Sequence, residues 1–126
     1  MTLVLRPLEI RKVLTKVMRT VHDRVDYETA SSETYPYVVY AFPNTDEQDN
    51  LETFTMEVDA YDMPIDGSTV PLETLIGTID YLLHAKIFES NGVFFSIYRE
   101  GRRTISESDK NLKRRQYDYQ IRVMGV

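Results

Sequence analysis

The stretch "RQYDYQIRV", Arg115 to Val123, alternates strictly: Tyr117, Tyr119, Ile121 and Val123 face one way, and Gln116, Asp118, Gln120 and Arg122 the other. A period of two with aromatic and β-branched residues on one side makes a strand with one face on a core and the other on water or a partner. Working backwards, "VFFSIY", Val93 to Tyr98, is a second such run. "LETFTMEVDAY", Leu51 to Tyr61, is a third, in which Phe54, Met56, Val58 and Ala60 alternate with Thr53, Thr55, Glu57 and Asp59. "YVVYAF", Tyr37 to Phe42, is a fourth. "PNTDEQDN", Pro43 to Asn50, carries no apolar residue and reads as the long acidic tip of a hairpin. Its Asp46, Glu47 and Asp49 would repel one another and nucleic acid alike.

Two stretches follow a helical period instead. From Leu8 to about Ala30, Ile10, Val13, Leu14, Val17, Met18, Val21 and Val25 recur at three and four, with Arg11, Lys12, Lys16, Arg19 and Arg24 on the flanks. After the turn "MPIDGS", Pro71 suits a first helical position, and Leu72, Leu75, Ile76, Ile79, Leu82, Leu83 and Ile87 form a second apolar stripe that "ESNG" ends. The expected order is α-β-β-α-β-β. That is an α+β fold in which two helices pack on one face of a mainly antiparallel four-stranded sheet, as a single domain over residues 1–126.

Composition narrows the function. A chain of 126 residues is long enough to bury a core without staples, and it has no cysteine, which removes disulfides, thiolate nucleophiles and zinc–cysteine clusters. With 15 Lys plus Arg against 20 Asp plus Glu, the net charge of -5 is opposite to that of a DNA-coating protein. The opening "MTLVLRPLEI" has too short an apolar run for a signal-peptide core or a membrane span, so no membrane partner is expected. His22 and His84 lack a second ligand at helical spacing, and no glycine pattern would cradle a phosphate, so no cofactor or metal is expected.

A metal-dependent nuclease would need carboxylates gathered with a lysine, yet none of Lys12, Lys16, Lys86, Lys110 and Lys113 has an acid two residues before it. The pairs Arg102-Arg103 and Arg114-Arg115 are interleaved with Glu100, Glu107 and Asp109, which favours salt bridges over a phosphate clamp. Arg115 shares the phase of Tyr117 and Tyr119, so its head group is expected to reach Asp109 or Glu107, or an acid on a neighbouring subunit. "SDKNLKRR" then reads as a structural loop at a subunit boundary. Tyr35, Tyr37, Tyr40, Tyr61, Tyr98, Tyr117 and Tyr119 all fall in or beside strands, a density that suits protein–protein contact.

The combination of "YPYVVYAF", an acidic hairpin tip, "TFTMEVDAYD", a leucine-rich second helix and "FSIYREGRRTISESDKNLKRRQYDYQIRV" resembles a family of small tail proteins of siphophages of Gram-positive bacteria. In element order, size and long first hairpin the chain is also similar to lambda-type tail terminator (tail completion) proteins. The resemblance implies a non-enzymatic virion protein, assembled in the host cytoplasm, whose copies form a hexameric ring at the head-proximal end of the tail tube. Its implied partners are itself, the major tail tube protein and the head–tail connector, and DNA passes through without specific binding. On that reading Asp46, Glu47 and Asp49 belong to a lumen or axial loop, and Arg115, Asp109, Tyr117 and Tyr119 to the subunit interface. A head-completion or adaptor protein and a metal-dependent nuclease are the competing readings.

Overall fold

The computed structural model describes residues 5–48 and 51–124. The elements are α1 (Arg6–Arg19), β1 (Val25–Tyr27), β2 (Tyr37–Gln48), β3 (Leu51–Asp62), α2 (Val70–Leu83), β4 (Lys86–Ser90), β5 (Val93–Ile105) and β6 (Lys113–Met124). The strands form one sheet in the order β1-β2-β3-β6-β5-β4, with β1 parallel to β2 and every other pair antiparallel. The expected four-stranded sheet of order α-β-β-α-β-β is therefore corrected to a mixed six-stranded sheet.

Each added strand came from a place where helical spacing continued by coincidence. α1 stops at Arg19, and Val25, which kept the three-and-four rhythm, is buried in β1 instead. α2 stops at Leu83; Ala85 takes a positive φ of 59° that no helix continues, and Ile87 enters β4, 66% exposed. "ESNG" is not a helix stop but a hairpin turn. Ser90 pairs with Val93, and Asn91 and Gly92 have φ of 50° and 81°, the left-handed pair that a two-residue hairpin requires.

The acidic tip is also strand. β2 runs on to Gln48 through a bulge between Ala41 and Asn44, setting Asp46 opposite Thr53 and Glu47 opposite Glu52. Polar residues can hold this conformation because β3 pairs with β6 from Glu52 to Asp62, which carries the hairpin on a wider sheet. Asp49 lies outside the described residues. Lys113, Arg114 and Arg115 likewise belong to β6, not to a loop.

One sheet face is dry. Ile10, Leu14 and Met18 of α1 and Leu72, Ile76, Ile79 and Leu83 of α2 pack with Phe54, Met56, Val58 and Ala60 of β3 and Tyr119, Ile121 and Val123 of β6. Tyr40 spans sheet and helix, its hydroxyl 2.6 Å from Thr15 Oγ1 and donating to the Arg11 carbonyl at 3.0 Å. The opposite, helix-free face carries the alternate residues.

Candidate assembly surface

The helix-free face holds a continuous ion network built by register. β3, β6 and β5 align Asp59 with Gln116 and Arg103, and Glu57 with Asp118 and Gly101. Directly opposed residues share a face, so these side chains meet. Arg103 donates to the Gln116 side-chain oxygen, lies 3.2 Å from Asp118 and 3.5 Å from Glu57, and so links β5 to β6 and, across it, to β3. Gln116, 4% exposed, passes the chain on by donating to both Asp59 oxygens at 3.1 and 3.2 Å.

Arg114 ends the network. Its Nε donates to Asp59 at 2.9 Å, its Nη1 to Glu107 at 3.2 Å, and its guanidinium sits 5.3 Å from the Tyr61 ring centroid. Burial works against the charged guanidinium, but the hydrogen bond and charge of Asp59 outweigh it and hold the pKa of Arg114 above the ordinary arginine value. Tyr61 stacks on Tyr37 at 4.9 Å, and desolvation, with charges nearby, pushes the Tyr37 phenol up to about 12. The other end of the same face is apolar and open: Ile87, Phe94 and Tyr98 are 66%, 48% and 54% exposed.

The residues expected to form an interface are dispersed by this register. Arg115 lies on the helix side, where Nε and Nη2 approach Glu73 of α2 at 3.4 Å; Glu107 serves Arg114 instead. Asp109 organises the turn before β6, accepting from the Asn111 amide at 2.9 Å while its carbonyl accepts from Leu112 at 3.1 Å. Tyr117 is partly buried against the core. Tyr119 is wholly enclosed and donates to Asp80 at 2.7 Å, so it is a core residue of its own subunit and not a contact to another. Burial, then the hydrogen bond to ionised Asp80, raises its phenol far above the ordinary tyrosine range. Arg99 pairs with the same carboxylate, tying α2 to β5 and β6.

Both histidines have local roles: His22 Nε2 is 2.8 Å from the Pro36 carbonyl, and His84 Nδ1 accepts from the Arg99 amide at 2.9 Å. Among the described residues no three His, Asp or Glu side chains gather as a metal-holding group. The acids of the network, Glu57, Asp59 and Asp118, are instead interleaved with arginine. No described helix is long and apolar enough to cross a membrane. The network itself was half legible, since Glu57 and Asp59 alternate on one strand and Gln116 and Asp118 on another. Only the pairing of β3 with β6 brings them together.

No family model and no curated protein matches the chain in sequence. Solved structures do match in fold. A chain of the virion of a native gene transfer agent particle superposes with a TM-score of 0.63 at 10% identity, covering 95% of this chain and 92% of that one. A second solved protein, which carries no functional description, gives a TM-score of 0.67 at 11% identity over 95% of this chain and 94% of its own. The fold is shared along nearly the full length of each.

Proposed function

We propose that this protein is a structural component of a phage-type virion, a tail terminator whose copies form a ring, of six subunits on the family resemblance, at the head-proximal end of the tail tube. The observation that carries the reading is the full-length likeness of fold to a chain of a gene transfer agent virion. In the ring the helix-free face lines the channel and the helices lie outside, which puts the basic flank of α1 away from DNA. Asp46 then faces the lumen beside Glu57, Asp59 and Asp118, whose ion pairs with Arg103 and Arg114 keep those arginines from gripping passing DNA. Glu47 lies on the opposite face, so the lumen role does not extend to it.

The test is assembly in a phage lacking this protein. Tails should then lack a stop at the head-proximal end and fail to join heads, and added purified protein should restore both. Normal tails with a defect confined to the head would instead point to a head-completion protein, and metal-dependent cleavage of DNA by the purified protein would replace the reading with an enzymatic one.

A further inference from the structure

The sheet has two stretches of strand with no neighbour, on opposite sides of the molecule. β1 covers β2 only at Val38–Tyr40, leaving Asn44–Gln48 as bare edge. β4 covers β5 only at Val93–Ile97, leaving Gly101–Ile105 bare. Among the described residues neither stretch makes a backbone hydrogen bond outside its ladder to β3 or β6. Unprotected edges are templates for strand addition.

The direction of the free backbone groups follows from the bonds that are made. The Val38 amide donates to Arg24 and the Tyr40 carbonyl accepts from Glu28, so these residues turn their backbone away from β3. The bulge between Ala41 and Asn44 shifts the alternation by one, and Thr45 and Glu47 point outward. On β5 the Ile97 carbonyl and Arg99 amide point outward, to Ala85 and His84. The bulge between Arg99 and Gly101 then leaves Arg102 and Thr104 outward. Pro43, which has no amide hydrogen, closes the free stretch of β2.

We infer that the ring is closed by pairing Asn44–Gln48 of one subunit antiparallel with Gly101–Ile105 of the next, Glu47 opposite Arg102 and Asp46 opposite Arg103. This rests on the ring reading above. Strand geometry and charge agree on that register. The hydrogen-bonding alternation makes Glu47 with Arg102, and Thr45 with Thr104, the bonded pairs. The pleat puts Asp46 and Arg103 both on the helix-free face and Glu47 and Arg102 both on the helix face. The charges are complementary, acidic on one edge and basic on the other.

Two further details fit. Within its own chain Glu47 stands opposite Glu52, which has Arg6 at 3.6 Å, and a neighbour's arginine would give Glu47 a counter-charge as well. Arg102 has no ion-pair partner among the described residues. The two strands run in opposite directions within the subunit, so the pair is antiparallel. Asp46 is level with Ser96, and Arg103 lies further down β5, so neighbours are offset by roughly 20 Å along the strands and the ring closes with its strands tilted about 45° to the axis. Because the edges differ, the contact is head-to-tail, the kind that builds a ring when its rotation closes, and not a two-fold dimer.

The experiment uses the natural absence of cysteine. In Asp46→Cys/Arg103→Cys, the two positions of one chain are separated by three strand spacings and by six residues along β6, roughly 25 Å in all, and cannot bridge internally. Oxidation of assembled protein should give a non-reducing gel ladder that ends at the ring number, with less cross-linking when Gly101→Cys or Ile105→Cys replaces the Arg103 partner. Glu47→Arg and Arg102→Glu should each weaken association about tenfold or more, and the double swap should restore it. Rings of correct native mass that give no ladder and no rescue would overturn the edge pairing while leaving the ring reading intact. Wild-type protein that stays monomeric even on tube ends would overturn the ring reading, and the pairing with it.

Discussion

Replacing Arg114 by alanine removes the one cation that joins Asp59 of β3 to Glu107 beyond β5. The loss comprises charge-assisted hydrogen bonds at 2.9 and 3.2 Å and the approach to the Tyr61 ring. Bonds to charged groups contribute about 1.5–3 kcal/mol each, and the side chain of Arg114 is 24% exposed, so solvent screening places each at the low end. Asp59 is not orphaned, because Gln116 still donates to both of its oxygens. The expected cost is about 2–3 kcal/mol, a fall in Tm of roughly 10 °C for a domain of this size. Arg115→Ala is the comparison. Its partner Glu73 is 57% exposed and no nearer than 3.4 Å, so that change should cost about 0–1 kcal/mol. The ordering is the reverse of what the strand phase alone suggests, since Arg115 lies with the tyrosines and Arg114 on the polar face. Urea unfolding at low protein concentration, where assembly does not contribute, measures both. An Arg115 variant less stable than the Arg114 variant would refute the network as the stabilising feature of this face.

Tyr119→Phe keeps the ring packing but deletes the donor to Asp80, and should cost about 1.5–3 kcal/mol by urea unfolding. Because the folded phenol is raised, its contribution is present below the ordinary tyrosine pKa of about 10 and is lost as pH rises beyond it; the phenylalanine variant should show a shallower alkaline decline. Asp26 is held below the usual carboxylate range by the Ser31 amide first, with the Ser31 hydroxyl and Arg19 adding to it. Its contribution is therefore present above the unfolded aspartate pKa and is lost as pH falls through the folded value, and Asp26→Asn should flatten the acid side of the stability profile. Gly92→Ala meets no atom within 4 Å, so only the strain of φ +81° remains; a loss of about 1 kcal/mol is expected in thermal unfolding, and no loss would mean that the β4–β5 turn relaxes to another form.

Strand phase and helix stripe were readable from local pattern, because alternation along β3 and β6 and the three-and-four spacing in α1 and α2 follow from backbone geometry alone. That is why the buried sets, Phe54, Met56 and Val58 or Ile10, Leu14 and Met18, fell where the sequence put them. The Asn91–Gly92 turn was also written locally, and with the short run "KIFES" before it could have announced β4. Nothing comparable announced β1, which is three residues long and exists because the chain leaving α1 meets the free edge of β2. Nor could pattern show that "NTDEQ" is strand: polar residues on both faces have no alternation to reveal, and their conformation is imposed by pairing with β3. The partners of Arg114 and Arg115 were beyond local reading for the same reason. Asp59 and Glu73 are 55 and 42 residues away in sequence, and only the sheet register and the seating of α2 make them neighbours.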